Sequence, residues 1–456
     1  MNHKTEWDLS LIYKGEVAPQ IKKDLSAIKK AYLVFAKKYS KDKKHLKNDK
    51  ALRKALEDYE ALGKNPAGER PYLYYSYRRN LNSGDNEAQA ELMKLSNFFT
   101  ELSNQIEFFM LEIAKIAAPI QKKFLKSKEL APFKYMLKKI FESAKHQLSE
   151  PEEKILNLKG LPSHGMWVSG FSRLLNKQTV NFQGKDLPVS EAGSLIPTLP
   201  KEERHELHNR LMEVYRGVSD FAESEMNAIL TNKKINDKLR NYKAPFEATV
   251  KEYENEAKTV KDLVASVTKN FYISHKFFKI KAEMLGEEKL FYSDRAAKVG
   301  EANIKVSFDE AVSKTISAFN SADSEFGAYV QEMFQNGQVD VFPKKGKTSG
   351  AFCSSSSTQP TFVLLNHIED FRSLTTLAHE MCYDLHSKYS KSQRPIYEDY
   401  TIAVAEVAST FFENLVFEDA MQGLDDKQKM VLLHDKINDD ISTIFRQIAC
   451  FNFENE

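Results

Sequence analysis

The segment Asp370–Tyr389, DFRSLTTLAHEMCYDLHSKY, constrains the fold more than any other part of the chain. Its apolar residues recur at spacings of three, four and seven, and they are Phe371, Leu374, Ala378, Met381 and Leu385. This period is that of one face of an α-helix. The sequence therefore predicts a helix with one side turned to a core, which the rest of the chain must supply.

A polar pair lies beside this stripe. Glu380 directly follows His379, and Tyr383 stands one helical turn further on. In the HExxH motif two histidines one turn apart bind a single Zn²⁺, and the glutamate acts as general base on the metal-bound water. Two of the three fixed positions are filled here. Because an isolated His-Glu pair is more often a solvated pair than a metal site, the metal interpretation needs a further ligand.

The next predicted helix carries a lone carboxylate. Glu406 is the only charged residue between Thr401 and Phe412. An unpaired charge in apolar surroundings costs several kcal/mol, so we expect Glu406 to be largely buried and to face a cation. If this helix packs on the first, one metal ion bound by Glu406 and His379 supplies that cation. The alternative is a buried glutamate hydrogen-bonded to neighbouring hydroxyl groups.

These motifs and others in the same order resemble the oligoendopeptidase F family of zinc metallopeptidases, relatives of thimet oligopeptidase. The resemblance extends over nearly the whole chain, through WDLSLIYKG (Trp7–Gly15), YLYYSYRRNL (Tyr72–Leu81), SGAFCSSSSTQPTFVLLN (Ser349–Asn366), LAHEMCYDLHS (Leu377–Ser387), DYTIAVAEVAST (Asp399–Thr410) and FRQIACFNFE (Phe445–Glu454). Several matches in one order are more specific than any single motif.

The resemblance implies a role for each residue of the predicted site. His379 and Glu406 are expected to bind one Zn²⁺, and Glu380 to act as the catalytic base. Asp399 is expected to contact the metal ligands without binding the metal itself. Tyr383 stands where the family has its second histidine ligand, and a phenol with an ordinary pKa of about 10 binds zinc poorly at neutral pH. The resemblance therefore implies a zinc-dependent endopeptidase for short peptides, with zinc weakened or absent and with hydrolysis impaired by Tyr383 and by truncation. The alternative is a catalytically inactive, peptide-binding pseudopeptidase.

A small sheet is predicted just before the helix with the His-Glu pair. Short β-type runs separated by Gly, Ser and Pro lie between Val339 and Asn366. The strand Thr361–Leu365 is expected to offer unpaired main chain to an extended peptide. By the resemblance this region lines the substrate cleft, and the residues expected to bind substrate are Gly350, Ala351, Phe352 and Val363. The alternative is a sheet that only braces the helix.

The remaining sequence predicts a mainly α fold. Gly and Pro number only 17 and 14, whereas the helix-favouring residues Leu, Ala, Lys and Glu are abundant. Asp85 is expected to cap a long helix that reaches Lys115, and QTVNFQGKDLPV (Gln178–Val189) predicts a β-hairpin. With the resemblance this indicates a multi-helical, two-lobed peptidase with a deep channel. We divide it into an N-terminal helical lobe (1–115), a central segment with the hairpin (116–195) and a catalytic lobe (196–456).

The family continues into a further C-terminal segment, which supplies histidine and tyrosine groups to the site. If that segment completes the catalytic lobe, the apolar sides of Phe445, Ile448, Phe451 and Phe453 lack part of their cover in this chain. Exposed apolar patches favour association. We therefore expect the chain to aggregate or to be partly unfolded near Glu456.

Charge and cysteine content limit the partners. The chain has 66 basic and 64 acidic residues, so no net positive field indicates nucleic acid as a partner. The three cysteines do not form a disulfide framework, and no run of about 18 apolar residues predicts a membrane span. No signal peptide is recognisable at the N-terminus. We expect a cytoplasmic protein whose partners are short peptides, with the oligomeric state left open.

Overall fold

The computed structural model describes residues 3–300 and 304–455, and over these residues the chain is mainly helical, as predicted. In chain order the helices are α1 (Val17–Lys41), α2 (Asp49–Gly63), α3 (Arg70–Leu81), α4 (Asn86–Ala114), α5 (Ala118–Lys126), α6 (Lys134–Ser143), α7 (Glu150–Gly160), α8 (Met166–Leu175), α9 (Val189–Leu195), α10 (Lys201–Gly217), α11 (Ser219–Leu239), α12 (Glu247–Glu252), α13 (Ala257–Lys269), α14 (Tyr272–Leu285), α15 (Phe308–Ala322), α16 (Ser324–Asn336), α17 (Phe371–Ser390), α18 (Ile402–Met421), α19 (Asp426–Ile441) and α20 (Gln447–Asn455).

The first two strands confirm the predicted hairpin. β1 (Thr179–Phe182) pairs antiparallel with β2 (Lys185–Pro188). The loop residues Gln183 and Gly184 have φ angles of 51° and 77°. Two positive φ angles are what a tight hairpin turn of type I′ requires, and Gly adopts them without steric cost.

A three-stranded sheet precedes α17, which confirms the second predicted β region. Its strands are β3 (Val339–Asp340), β4 (Phe352–Ser354) and β5 (Phe362–Leu364), in the order β3-β5-β4. β5 runs parallel to β3 and antiparallel to β4. β5 is therefore the central strand, and β4 has a sheet neighbour on one side only.

Residue contacts divide the chain into two compact units. The first comprises Met1–Leu158 and Lys305–Ala420, and the second comprises Lys159–Ile304 and Met421–Glu456, each within its described residues. α17, α18 and the three-stranded sheet belong to the first unit. The division at residues 115 and 195 drawn from the sequence stays a prediction.

The first unit has an aromatic core between its N-terminal helices. α1, α2, α4, α5 and α6 pack around buried rings, which are Phe35, Tyr39, Phe109, Phe124 and Phe133. Asp85 caps α4 as predicted, because its side chain accepts a hydrogen bond from the N–H of Ala88. Capping satisfies one of the amide groups that a helix start leaves without a partner.

The N-terminal segment is fastened to the three-stranded sheet. The Trp7 ring packs on Tyr77 and Phe362, with ring centres 5.0 and 5.6 Å apart, and its Nε1 donates to the Val363 carbonyl at 2.8 Å. Below it Lys347 Nζ lies 2.7 Å from Asp340 Oδ1, and both side chains are buried. The sheet that precedes α17 is therefore held by a packed ring and a buried ion pair.

The second unit has a smaller core. Val180 and Phe182 of the hairpin pack with Leu207 and Leu211 of α10. By contrast α8, α11, α13 and α20 contain no fully buried residue in their described parts.

A buried lysine connects three segments of the same unit. Lys281 Nζ donates to the Arg295 carbonyl at 2.8 Å and to Asn438 Oδ1 at 3.1 Å. Burial lowers the pKa of Lys281 to about 8.

Within residues 3–300 and 304–455, none of the helices combines the length and the apolar character needed to span a lipid bilayer.

Candidate active site

α17 forms as the periodicity predicts. Asp370 caps its start, because Oδ1 accepts hydrogen bonds from the Ser373 N–H at 2.8 Å and from the Ser373 hydroxyl at 2.7 Å. The whole predicted stripe is buried, namely Phe371, Leu374, Ala378, Met381 and Leu385. Burial of this face fixes the rotation of the helix and turns His379 and Tyr383 toward α18.

α17 and α18 meet at His379. Its Nε2 lies 3.5 Å from Glu406 Oε2, and its Nδ1 lies 3.1 Å from Glu413 Oε2. Two ligands of one zinc ion at about 2.1 Å stand roughly this far apart, so the first pair has the spacing of metal ligands. Glu413 is absent from the sequence-based site, although its distance of seven residues from Glu406 places both on one helical face.

The expected burial of Glu406 is wrong. Its side chain is 44% exposed. The apolar neighbours that led to the expectation are themselves exposed, since Val404, Val407 and Phe411 retain 53%, 71% and 57% of their accessible surface. Hydroxyl groups are its local partners: the Ser409 hydroxyl donates to Glu406 Oε2 at 2.9 Å, and the Tyr383 hydroxyl is also hydrogen-bonded to Glu406.

Burial and charge act in opposite directions at His379. Burial lowers its pKa, but the hydrogen bond with Glu413 and the charges of Glu380 and Glu406 outweigh burial, so the pKa of His379 is raised. The pKa of Glu380 is raised to about 7, first by its own burial and then by the charge of Glu406, while His379 opposes the rise. The Cys353 N–H of β4 donates to the Glu380 carboxylate.

Tyr383 occupies the position at which a second histidine ligand is expected. Its ring stands edge-on to that of His379, with centres 5.2 Å apart, and its hydroxyl is hydrogen-bonded to Glu406. Burial is the first cause that raises the pKa of Tyr383, and the hydrogen bond with Glu406 is the second. The phenol therefore keeps its proton and is not a ready metal ligand.

The residues present do not fit a catalytic zinc ion. Such sites use three protein ligands. Here His379 Nε2 and Glu406 Oε2 stand at ligand spacing, Glu413 lies against the other ring nitrogen of His379, and the group at the expected third position is a protonated phenol. No group of three or more His, Cys, Asp or Glu residues able to hold a metal occurs among residues 3–300 and 304–455.

Asp399 is placed apart from these residues. It precedes the start of α18 at Ile402, so it does not continue the helical face of Glu406 and Glu413. Asp399 lines a cavity of about 490 Å³ together with Tyr400. No hydrogen bond or ion pair joins it to His379 or Glu406 in the described part of the chain.

The sheet residues divide into two groups. Val363 lies in the central strand β5: its N–H donates to the Gln338 carbonyl at 2.8 Å, and its carbonyl accepts from Trp7. The expectation that its strand offers unpaired main chain is therefore wrong. Gly350, Ala351 and Phe352 lead into and begin β4, whose Cys353 N–H points away from β5 to Glu380.

Comparison with known proteins identifies similar sequences and folds. A family model described as Peptidase family M3 matches residues 201–456, and one described as Oligopeptidase F matches residues 112–177. Oligopeptidase PepF of Bacillus subtilis (strain 168) is 27% identical over 398 residues, which are 85% of this chain and 59% of that protein. The chain thus spans less than two thirds of this relative.

Solved structures share the fold at lower identity. The crystal structure of oligoendopeptidase-F from Enterococcus faecium matches with a TM-score of 0.67 and 21% identity, over 95% of this chain and 74% of that one. That of a Chlamydophila abortus protein described as a peptidase matches with a TM-score of 0.76 and 21% identity, over 100% and 77%. At this identity the likeness establishes the fold alone.

Proposed function

The chain belongs to peptidase family M3, and from this premise we propose that it is a metalloendopeptidase for short peptides whose hydrolytic step is impaired by Tyr383. The observation that carries the proposal is the meeting of α17 and α18, where His379 Nε2 lies 3.5 Å from Glu406 Oε2. Family membership supports peptide hydrolysis. The phenol in place of a third ligand supports the impairment.

Because the residues present do not fit zinc, we assign no step to a bound metal. The chain's own groups can still bind a peptide and position it beside Glu380. β4 is an edge strand, and its Cys353 N–H is directed to Glu380 rather than into the sheet. An extended peptide that pairs with this edge by main-chain hydrogen bonds would lie beside the Glu380 carboxylate. Glu380 is the residue that we propose as the base, and Gly350, Ala351 and Phe352 those beside the peptide.

The substitution Tyr383→His tests the proposal. We expect the unmodified chain to bind far less than one zinc per chain after desalting, and the variant to bind close to one. Loss of a residue that only supports a ligand costs about 10- to 100-fold in metal affinity or activity, so loss of a ligand should cost more. Zinc content and cleavage of an internally quenched fluorogenic peptide are the measurements.

Tyr389→His is the matched control. Tyr389 lies on the same helix and is 46% exposed, so the variant adds an imidazole without adding a ligand to the site. It should leave zinc content unchanged. The proposal is wrong if the unmodified chain already binds one zinc per chain and cleaves as fast as Tyr383→His.

One observation favours the alternative of an inactive peptide-binding pseudopeptidase. His379 and Tyr383 already have partners in Glu413 and Glu406, which satisfies the site without a metal. Peptide binding with no cleavage, even in excess zinc, would identify this case. A plain helical scaffold would bind neither zinc nor peptide.

A further inference from the structure

A cavity of about 700 Å³ lies wholly within the second compact unit. It is formed by α14, the turn that follows it and the chain from Ile441 to Ala449. Its wall is mostly apolar and aromatic, with Phe271, Phe278, Leu290, Phe291, Ile441 and Phe445. A volume of this size with a mainly apolar wall is typical of sites for small ligands.

Two arginines line the same cavity, and Tyr292 contacts both. Arg446 Nη2 donates to the Tyr292 hydroxyl at 3.1 Å. The guanidinium carbon of Arg295 lies 5.4 Å from the centre of the Tyr292 ring. One tyrosine therefore brings two guanidinium groups to one part of a mainly apolar wall, which Ser274, His275 and Ser442 also line.

Neither guanidinium has an anionic partner in the part of the chain that the structure describes. In the described residues, no Asp or Glu forms an ion pair with Arg295 or Arg446, and the buried Nε of Arg295 has no acceptor. The neighbouring Asp294 is already engaged by Arg204 and His205, with contacts of 2.8 and 2.9 Å. A buried donor without an acceptor is unfavourable. The cavity thus carries positive charge that calls for an anion.

We propose that this cavity binds the C-terminal residue of a peptide, with an apolar side chain against the aromatic wall and the free carboxylate at Arg295 and Arg446. Guanidinium groups match a carboxylate by paired hydrogen bonds, and the aromatic wall offers apolar surface to the side chain beside it. Inorganic phosphate would match the arginines but leave the wall uncovered. The choice of a peptide, rather than another apolar carboxylate, rests on the proposed function.

The test compares acetyl-Ala-Ala-Phe with its C-terminal amide by calorimetry. Charge-assisted hydrogen bonds predict binding of the free acid at least about tenfold tighter than the amide. The double variant Arg295→Gln with Arg446→Gln should lose this preference. Arg210→Gln, in an exposed ion pair with Glu206 of α10, should keep it.

Ala449→Trp provides a second variant that fills the cavity and leaves both arginines in place. It should weaken the binding of acid and amide together, and thermal unfolding checks that each variant is folded. Equal affinity for acid and amide overturns the proposal, as does displacement by decanoate with no binding of the peptide. If the unmodified protein shows no preference for the free acid and the double variant cleaves peptide as fast as it does, this inference is refuted. The proposed function is not affected by that result.

Discussion

At the residue scale, two lysine side chains are buried, and their amino groups contact different kinds of partner. Lys347 Nζ has the Asp340 carboxylate at 2.7 Å. Lys281, 1% exposed, has only a carbonyl and an amide oxygen as acceptors. Because neutral acceptors compensate less for the lost hydration of an ammonium group, burial lowers the pKa of Lys281 to about 8.

This pKa makes the stability of the second unit depend on pH. An unfolded lysine has a pKa of about 10.4, so between pH 8 and 10.4 the unfolded state binds more protons than the folded one. The free energy of unfolding should therefore rise with pH in this window, by up to about 3 kcal/mol, and stay at its lower value below pH 8. Urea unfolding of the wild type and of Lys281→Met at pH 7.5 and 9.5 measures the difference.

Lys279→Met is the control, because Lys279 is exposed on the same helix. Its stability should follow the wild type at both pH values. A gap between wild type and Lys281→Met that does not widen in favour of the wild type at pH 9.5 would contradict the assignment.

At the element scale, two adjacent residues at the start of α17 have opposite effects on its stability. Asp370 caps the helix, whereas Glu369 has a φ of 57°, which a residue with a Cβ adopts only with strain. We expect Asp370→Ala to lower stability by about 1 kcal/mol and Glu369→Gly to raise it by up to about 1 kcal/mol. The urea midpoint of the first unit reports both. A shift of the same sign in the two variants would refute this account.

The edge of β4 supports a second prediction at this scale. Cys353→Pro removes the N–H that donates to Glu380 and projects a ring from the edge with which the peptide would pair, whereas Cys353→Ala keeps the N–H and leaves that edge open. Because one main-chain hydrogen bond contributes about 1 kcal/mol, we expect peptide affinity of the proline variant to fall about fivefold relative to the alanine variant. Titration with a fluorescent peptide measures it. Equal affinities would exclude this edge as the binding surface.

The elements also differ in how far their positions follow from sequence. The stripe of α17 is readable because each of its residues packs against a neighbour. The N-terminal half of α18 is apolar on most sides, so its pattern does not say which side is covered, and for this reason the predicted burial of Glu406 is wrong while its meeting with His379 is right. The sequence of a three-residue strand such as β5 does not indicate whether the strand has one neighbour in the sheet or two. The predicted unpaired main chain at Val363 is wrong for this reason.

The site itself could be predicted only in part. The His379–Glu406 meeting follows from two helices with facing polar residues. The partners that complete it do not, because the main-chain N–H of Cys353 reaches Glu380, and the carboxylate of Glu413 reaches His379, only through tertiary packing. The hydrogen bond of Tyr383 with Glu406 depends on the same packing.

At the scale of the whole molecule, the two compact units differ in packing. The first has a large aromatic core, while several helices of the second contain no fully buried residue in their described parts. The chain has two tryptophans, and Trp7 lies in the first unit and Trp167 in the second. Each can report on its own unit, since Trp7 is buried and the ring of Trp167 lies 5.9 Å from that of Phe221.

We expect the second unit to unfold at lower urea concentration than the first. Burial of apolar surface is the main favourable term in stability, and the second unit buries less of it. Trp7→Phe leaves Trp167 as the only reporter, and Trp167→Phe leaves Trp7. Fluorescence transitions of the two variants that coincide would show that the units unfold together.

The contact between Trp7 and Val363 also sets an order of events during synthesis. These residues are 356 positions apart, and the whole second-unit segment Lys159–Ile304 lies between them. At about 5–20 residues per second, a ribosome needs roughly 20–70 s to make the 356 residues that follow Trp7 up to Val363. The N-terminal segment that carries Trp7 has no sheet to pack on throughout this time. We therefore expect the nascent chain to expose an apolar tryptophan to which chaperones at the ribosome exit can bind.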